Sequence, residues 1–446
     1  MHVLTHLNID MVALDQEDQV TVLVELTAPE NPDSANRPGR TLMLLLDRSG
    51  SMSGGPLQGA KDAISALVRR LAPQDCFGLV IFDSQAALAI PPMLMADHNM
   101  ESLQRAVSNI QPGGSTDLSA GYILALRETK RSLAATNHTG ATVLLVSDGH
   151  ANAGITEPEK LREVAAKALT DTITTSTLGL GLGYDEYLLQ EITNGGNGNH
   201  CFAPDVDTAV QAIAQTVTDL LDVSVLATTL RITPKNQHVD GIRIRQDIPV
   251  WREPGALVVN LGDMYAGEER KLLITLDVPA VANLGTTTIA DLDLHFTAVN
   301  DLADHHVNFP VTVNVVPGDE ARSRVSNPVV EVEELIADAD DAKKSMIGSL
   351  REHDISSARS TLSSTMKSVN DKRKEVKNLG DSSLTARLDI AAMELLELNE
   401  SLRHQSMEFS SKLMTESYSM GSKGKKKKDV RPPSNNSIVD DSGAEI

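Results

Sequence analysis

The chain has 446 residues, more than one ordinary domain holds, so two to four folded units are expected. Hydrophobic residues make up 41% but aromatic ones only 3%, which predicts cores built mainly from aliphatic side chains. The formal net charge of −21 argues against nucleic acid as the main partner, because phosphate binding needs a basic face. Two cysteines, Cys76 and Cys201, are too few for a disulfide framework or a four-thiolate zinc site.

The sequence predicts a cytoplasmic protein without a transmembrane segment. Acidic residues stand near the start of the chain, where a signal peptide would need an apolar stretch: Asp10, Asp15, Glu17 and Asp18. The apolar runs of the chain are also much shorter than the ~18–20 residues of a membrane-spanning helix.

Residues 1–36 are expected to form strands that end in a loop. In "VTVLVEL" the residues Val20, Val22, Val24 and Leu26 share one face at a spacing of two. The following "APENPDSANRPG" supplies the proline, glycine, asparagine and aspartate typical of a loop.

Between residues 40 and 222 the pattern changes to short aliphatic strands that alternate with amphipathic helices. The strands are "TLMLLLD", "FGLVIFD", "TVLLVSD" and "TITTSTLGLGLG". Nearly continuous apolar strands separated by helices are typical of a parallel sheet covered on both faces. This segment is therefore predicted to be a doubly wound, mostly parallel α/β domain.

Residues 224–317 return to strand alternation, as in "RKLLITLDV" and "PVTVNVV". The N-terminal strands are too few to be stable alone. We therefore expect residues 1–36 to join this segment in one antiparallel β-sandwich, with the α/β domain inserted between the two parts.

Residues 327–416 show helical spacing in three stretches and predict a C-terminal helical bundle. The third stretch spaces its apolar residues by threes and fours: Leu384, Leu388, Ala391, Leu395, Leu398 and Leu402. We favour an intramolecular three-helix bundle over an intermolecular coiled coil. Residues 418–446 contain "GSKGKKKKD" and are expected to be a disordered, lysine-rich tail that aids solubility, a membrane or nucleic-acid contact being the alternative.

The segment "LMLLLDRSGSMSGG" places Asp47 at the end of a predicted buried strand, followed by Ser49 and Ser51. A nucleophile elbow requires Gly-x-Ser-x-Gly, which is absent from the sequence. A phosphate-binding loop is also excluded, since Gly54 and Gly59 have the right separation but lack the Lys-Ser/Thr that should follow. A phosphoryl-transfer site of the haloacid dehalogenase type would need a second carboxylate where Ser49 stands. That enzyme remains an alternative.

A magnesium site explains this arrangement better. Mg²⁺ takes about six oxygen ligands at about 2.1 Å, and short hydroxyls and carboxylates suit it. Further oxygens are expected from other strand ends at the carboxyl edge of the sheet. Thr116 lies in the glycine-rich "QPGGSTDLSAG", and Asp148 follows the apolar "TVLLVS".

Together, "DRSGS", "GGSTDL" and "VSDG" closely resemble the metal-ion-dependent adhesion site of a von Willebrand factor type A domain. The resemblance covers residues 40–222. It implies a metal site in which the hydroxyls bind directly and one or both aspartates bind through water, formed by Asp47, Ser49, Ser51, Thr116 and Asp148. The flanking segments resemble those of prokaryotic intracellular proteins in which such a domain sits within a β frame.

This resemblance predicts a Mg²⁺ or Mn²⁺ ion that binds a glutamate or aspartate of a partner protein. We interpret the chain as an interaction module or scaffold rather than an enzyme, because His150 is the one nearby candidate base and fits a loop residue better. A substrate adaptor for an AAA+ ATPase of the MoxR or chelatase type is the other role that the family suggests. Asp83 is expected at the rim of the site, and Asp117 is expected to hydrogen-bond behind it.

Overall fold

The computed structural model describes residues 1–30, 38–205, 207–213, 222–235, 238–299 and 303–424. Three strands come first: β1 (His2–Leu7), β2 (Met11–Ala13) and β3 (Asp18–Thr27). In β3 the predicted inward face is buried, and Leu23 on the opposite face is buried as well. The reason is a C-terminal helix, described below, that covers this second face.

A six-stranded sheet and its helices form the inserted α/β domain. Its strands are β4 (Thr41–Asp47), β5 (Cys76–Phe82), β6 (Ala86–Leu94), β7 (Ala141–Ser147), β8 (Ile173–Leu180) and β9 (Asn197–Ala203). Its helices are α1 (Gly55–Val68), α2 (Met100–Ser108), α3 (Leu118–Thr136), α4 (Pro158–Thr170) and α5 (Glu186–Gly196), and residues 207–213 are also helical.

The strand order in this sheet is β6-β5-β4-β7-β8-β9. Strand β6 runs antiparallel to β5, and the other neighbours are parallel. Helices cover both faces of the sheet, so β4 and β7 are buried along their whole length. The mostly parallel α/β fold predicted for this segment is confirmed.

The remaining strands complete a β-sandwich around the insertion. They are β10 (Val223–Pro234), β11 (Gly241–Ile244), β12 (Val250–Glu253), β13 (Ala256–Tyr265), β14 (Glu269–Val278), β15 (Gly285–Ala298) and β16 (Asp304–Val316). One sheet has the order β1-β3-β14-β11 and the other β12-β13-β10-β15-β16-β2. The two sheets enclose one apolar core, to which the N-terminal strands contribute. One pair departs from the antiparallel prediction, since β16 and β2 are parallel.

The C-terminal part contains four long helices rather than the predicted three. After the short helix α6 (Gly318–Ala321) come α7 (Pro328–Arg351), α8 (Ile355–Leu379), α9 (Ser382–His404) and α10 (Met407–Gly421). These four share one core, which we call the helical unit. Val330 of α7 packs on Leu23 and so covers the outer face of β3.

The helical structure extends beyond residue 418, where the sequence predicted a disordered tail to begin. Tyr418 lies in α10 and is buried, and Lys423 is buried too. Residues 425–446, with most of the lysine run, lie outside the described residues. Within the described ranges, no helix is both long enough and apolar enough to cross a membrane.

Candidate metal centre

Asp47 is the last residue of β4, the central strand, and its side chain is fully buried. Its two carboxylate oxygens have different partners. The backbone N–H of Ser49 donates to Oδ1 at 2.8 Å, and the hydroxyl of Ser147 donates to Oδ2 at 2.6 Å. Burial raises the pKa of Asp47 above its ordinary value, although these hydrogen bonds act in the opposite direction. The carboxylate is thus held in one orientation at the carboxyl edge of the sheet.

The three predicted hydroxyl ligands meet beside one glycine. A Cβ atom built on Gly149 would lie 3.3 Å from Ser51 Oγ, 3.7 Å from Thr116 Oγ1 and 3.9 Å from Ser49 Oγ. The Oγ atoms of Ser49 and Ser51 are 3.1 Å apart, and Ser51 donates to Asp148 Oδ1 at 2.7 Å. Residues predicted from all three motif segments therefore surround one small space. This space is open because Gly149 has no side chain.

Thr116 is fixed by a reciprocal pair of hydrogen bonds to Asn152. The N–H of Thr116 donates to Asn152 Oδ1 at 2.9 Å, and the N–H of Asn152 donates to the Thr116 carbonyl at 3.0 Å. The loop before Thr116 is also tied to the first motif, since Gly50 N–H donates to the Gly114 carbonyl at 3.0 Å. These contacts join the loops that follow β4, α2 and β7.

Asp148 begins the loop after β7 and is less buried than Asp47. Burial raises its pKa to about 6, with the hydrogen bond from Ser51 acting against this and the nearby charge of Asp47 adding to it. A bound divalent cation would favour the ionised form of both carboxylates by direct charge attraction.

Asp83 lies at the predicted rim, but its carboxylate is already engaged. It forms an ion pair with Arg48 at 2.8 Å and accepts from the N–H of Gln85 at 2.9 Å. A Cβ atom on Gly113 would lie 1.8 Å from Asp83 Oδ2, so only glycine fits there. Asp83 therefore holds Arg48 and the Gly113 loop in place.

Asp117, which was predicted to hydrogen-bond behind the site, caps α3. Its Oδ1 accepts from the N–H of Ala120 at 2.9 Å and from the hydroxyl of Ser119 at 2.7 Å. Its own N–H donates to the carbonyl of Asp83 at 2.7 Å. The capping interaction orients the first turn of α3, and thereby Thr116 just before it.

Four contributing residues were not predicted: Arg48, Ser147, Gly149 and Asn152. Three of them stand inside or next to the motif segments, so their positions were visible. Their roles depend on contacts with residues of other segments. The spacing of residues within one segment does not reveal such contacts. Asn152 had no signal of its own beyond lying in a polar loop.

The donor set suits a hard divalent cation. Three neutral hydroxyls and two carboxylates are oxygen ligands of the kind that Mg²⁺ and Mn²⁺ prefer. Over the part of the chain that the structure describes, no cluster of three or more histidine, cysteine or acidic side chains could hold a metal. A site here therefore depends on its hydroxyl groups.

Comparison with known proteins shows the family to which the α/β domain belongs. Residues 41–216 match the family model of the von Willebrand factor type A domain. The chain therefore carries a domain of this family, and such domains commonly act as metal-dependent protein–protein interaction modules.

Two relatives share this region. The "Uncharacterized protein YfbK" of Escherichia coli is 28% identical over 198 residues, which cover 44% of this chain and 33% of the relative. The "Uncharacterized protein sll0103" of Synechocystis sp. is 24% identical over 277 residues, which cover 60% of this chain and 64% of the relative. The chain thus spans between a third and just under two thirds of the length of these relatives.

A solved structure is similar over nearly the whole chain. The ArnB paralog VWA2 from Sulfolobus acidocaldarius has a TM-score of 0.66 at 15% identity, covering 94% of this chain and 98% of its own. At this identity the likeness shows the fold alone. That fold includes the sandwich and the helical unit as well as the inserted domain.

Proposed function

We propose that this protein binds a partner protein through a Mg²⁺ or Mn²⁺ ion held at the edge of the α/β sheet. Five residues would hold the ion, the hydroxyls directly and the aspartates directly or through water: Asp47, Ser49, Ser51, Thr116 and Asp148. A glutamate or aspartate of the partner would complete the coordination. The protein would then serve as an interaction module or scaffold.

The observation that carries this proposal is the convergence of three hydroxyls around Gly149, within 3.3 to 3.9 Å of the place where a Cβ would stand. Ser49, Ser51 and Thr116 come from two loops, and a turn-forming or helix-capping role would not require them to meet. The space between them is lined by these three hydroxyl oxygens, and Asp47 accepts a hydrogen bond from the N–H of Ser49 at 2.8 Å.

The charge of the site explains why a partner carboxylate is the expected ligand. Two carboxylates balance a divalent ion, and three hydroxyls add no formal charge. The ion therefore keeps its affinity for a further anionic oxygen. At rest, a water molecule would take this position.

The site is poorly suited to phosphoryl transfer. Asp47 would have to be the nucleophile of that reaction, with a second carboxylate nearby as general acid or base. The position that needs a general acid or base carries Ser49 instead. The role as an adaptor for an AAA+ ATPase stays a prediction, since no contact described above favours it over other partners.

Calorimetric titration with MgCl₂ and MnCl₂ tests the ion site first. We expect one ion per chain for the wild type, and at least about tenfold weaker binding for Thr116→Ala, because a neutral ligand is removed from a small ion that needs all its oxygens. Ser53→Ala is the matched control, since Ser53 is an exposed serine just beyond Ser51. Equal affinities in all three proteins would refute the ion site.

Affinity capture then tests the interaction. Purified wild type, Thr116→Ala and Ser53→Ala serve as baits, each with MgCl₂ or EDTA. Partners bound by wild type and Ser53→Ala in magnesium alone support the proposal. A candidate partner is confirmed when replacing one of its acidic residues by the amide abolishes binding. The same proteins captured under every condition would contradict a metal-dependent interaction.

A further inference from the structure

Helix α10, the last helix within the described residues, lies against the α/β domain at the edge of its sheet. The ring of Phe409 packs edge-on against Phe202 of β9, with centroids 5.4 Å apart. The N–H of His200, also in β9, donates to Ser419 Oγ at 3.3 Å. The helical unit thus contacts the same domain that carries the candidate metal centre.

Lys412 is the most engaged residue of this contact. It is 2% exposed, and its ammonium donates to the Tyr184 carbonyl at 2.7 Å and to Glu186 Oε2 at 2.9 Å. It also lies 3.9 Å from the centroid of the Tyr184 ring, within the range of a cation–π interaction. A buried ammonium is costly unless it is fully paired, so these contacts define one position for the segment around Tyr184.

That segment, residues 181–185, joins β8 to α5, touches the candidate metal centre at Asp148 and contacts a neighbouring strand residue, Gly179. A Cβ atom on Gly183 would lie 3.1 Å from the carbonyl oxygen of Asp148. The Tyr184 ring lies over Gly179, where a Cβ would be 2.2 Å from a ring carbon. Gly179 is paired with Ser147, the residue whose hydroxyl holds Asp47.

We propose that Lys412 is a positioning residue through which the helical unit sets the affinity of the metal centre. It holds residues 181–185 against the Asp148 loop and the end of β7, so that a shift of α10 changes the place of Asp148 and Ser147. This inference rests on the proposed function, because it concerns the regulation of the same ion site.

A second contact from the helical unit reaches the first residues of α5, directly after this segment. Arg351, at the end of α7, lies 4.6 Å from the centroid of the Tyr187 ring and 3.9 Å from Glu186 Oε1. The Ser411 hydroxyl donates to Glu186 at 3.1 Å. Burial alone would raise the pKa of Glu186, but Lys412, a backbone hydrogen bond and Arg351 bring it below the ordinary value. Two helices of the unit therefore hold one ionised carboxylate at the start of α5.

The ion affinity of Lys412→Met, measured by Mn²⁺ titration, tests the proposal. Lys343→Met is the matched control: Lys343 is 3% exposed and pairs with Asp340 at 2.9 Å and Glu394 at 3.0 Å, both inside the helical unit. Both variants lose a buried, paired lysine, so both should lose stability. Only Lys412→Met is expected to bind Mn²⁺ about fivefold or more weakly, the size of an ordinary coupling between sites. If Lys412→Met binds Mn²⁺ with the same affinity as Lys343→Met, the proposal is overturned.

Hydrogen exchange on the unaltered protein gives a second measurement that does not depend on a variant folding. Because coupling is reciprocal, saturating Mn²⁺ should slow exchange in Met407–Gly421 of the wild type and leave Thr116→Ala unchanged. No change in the wild type, although Mn²⁺ binds, would overturn this inference and leave the ion site standing. Absence of Thr116-dependent Mn²⁺ binding would instead refute the proposed function.

Discussion

Ser147 donates its hydroxyl hydrogen to Asp47 over 2.6 Å, and thereby joins the ends of the adjacent strands β4 and β7 beneath the candidate metal centre. Both side chains are fully buried. A buried carboxylate needs such a donor, because burial otherwise favours its neutral form. The Ser147 hydroxyl thus supports the fully buried aspartate of the candidate site.

Ser147→Ala is expected to lower the free energy of unfolding by about 1–3 kcal/mol, the usual cost of leaving a buried polar group without its partner. The measurement is chemical denaturation in EDTA, so that ion binding does not contribute. Ser84→Ala is the control, because its hydroxyl is 3.5 Å from Asp83, a long contact, and should change stability by less than about 0.5 kcal/mol. Equal stability of the two variants would contradict the role given to Ser147.

Gly149→Val should weaken Mn²⁺ binding by about tenfold or more, since its methyl groups would enter the space between the three hydroxyls and overpacking costs about 1–3 kcal/mol. Titration calorimetry measures this change. Gly348→Ala is the control glycine: it lies in α7 with nothing within 4 Å of its Cβ position. That replacement should leave ion binding unchanged and stabilise the fold by about 0.5–1 kcal/mol. Unchanged affinity of Gly149→Val would show that the ion binds elsewhere.

The ion pair between Arg48 and Asp83 should show measurable coupling in a double-mutant cycle of Arg48→Met and Asp83→Asn. The pair is 2.8 Å long, with the two side chains 27% and 7% exposed. We expect a coupling energy of about 0.5–3 kcal/mol, as for contacting residues within one network. The cycle is measured by denaturation at low and high salt. Strictly additive single effects would mean that the two residues act independently.

Stability should fall as the pH is lowered below about 6.5, in part because of His200. Burial, reinforced by the nearby charge of Lys423, lowers the pKa of His200 to about 3. Between pH 6.5 and 3, His200 is therefore protonated in the unfolded chain but neutral in the folded chain. Lowering the pH thus favours unfolding. From pH 7 to pH 5 this residue alone should cost about 2 kcal/mol.

His200→Gln isolates this contribution, because the other titrating groups remain in both proteins. The stability difference between wild type and variant should shrink by about 2 kcal/mol from pH 7 to pH 5. Denaturation curves at pH 7, 6 and 5 measure it. A difference that stays constant with pH would place the His200 pKa near its ordinary value in the folded state.

Much of the fold followed from local patterns. The aliphatic strands of the α/β domain and the alternation in "VTVLVEL" each reflect one periodicity, and the structure has strands at these places. Helix α10 was missed because its buried face is rich in serine and threonine, including Ser410, Thr415 and Ser419. Small hydroxyl residues allow close packing against β9, but they do not produce the hydrophobic periodicity from which a helix is predicted.

The sequence by itself determined the type of most elements, although not of α10, and it placed Asp47 and Asp148 where strands of the parallel sheet end. The shared direction of the parallel strands brings Asp47 and Asp148 to one edge. Thr116, which follows α2, was grouped with them before any coordinates through the resemblance of the three motif segments to a metal-ion-dependent adhesion site. Only the tertiary structure decided what holds them there. The bond from Ser147, the space at Gly149 and the burial of Lys412 arise between segments far apart in the chain, and their energies depend on distances that no local pattern encodes.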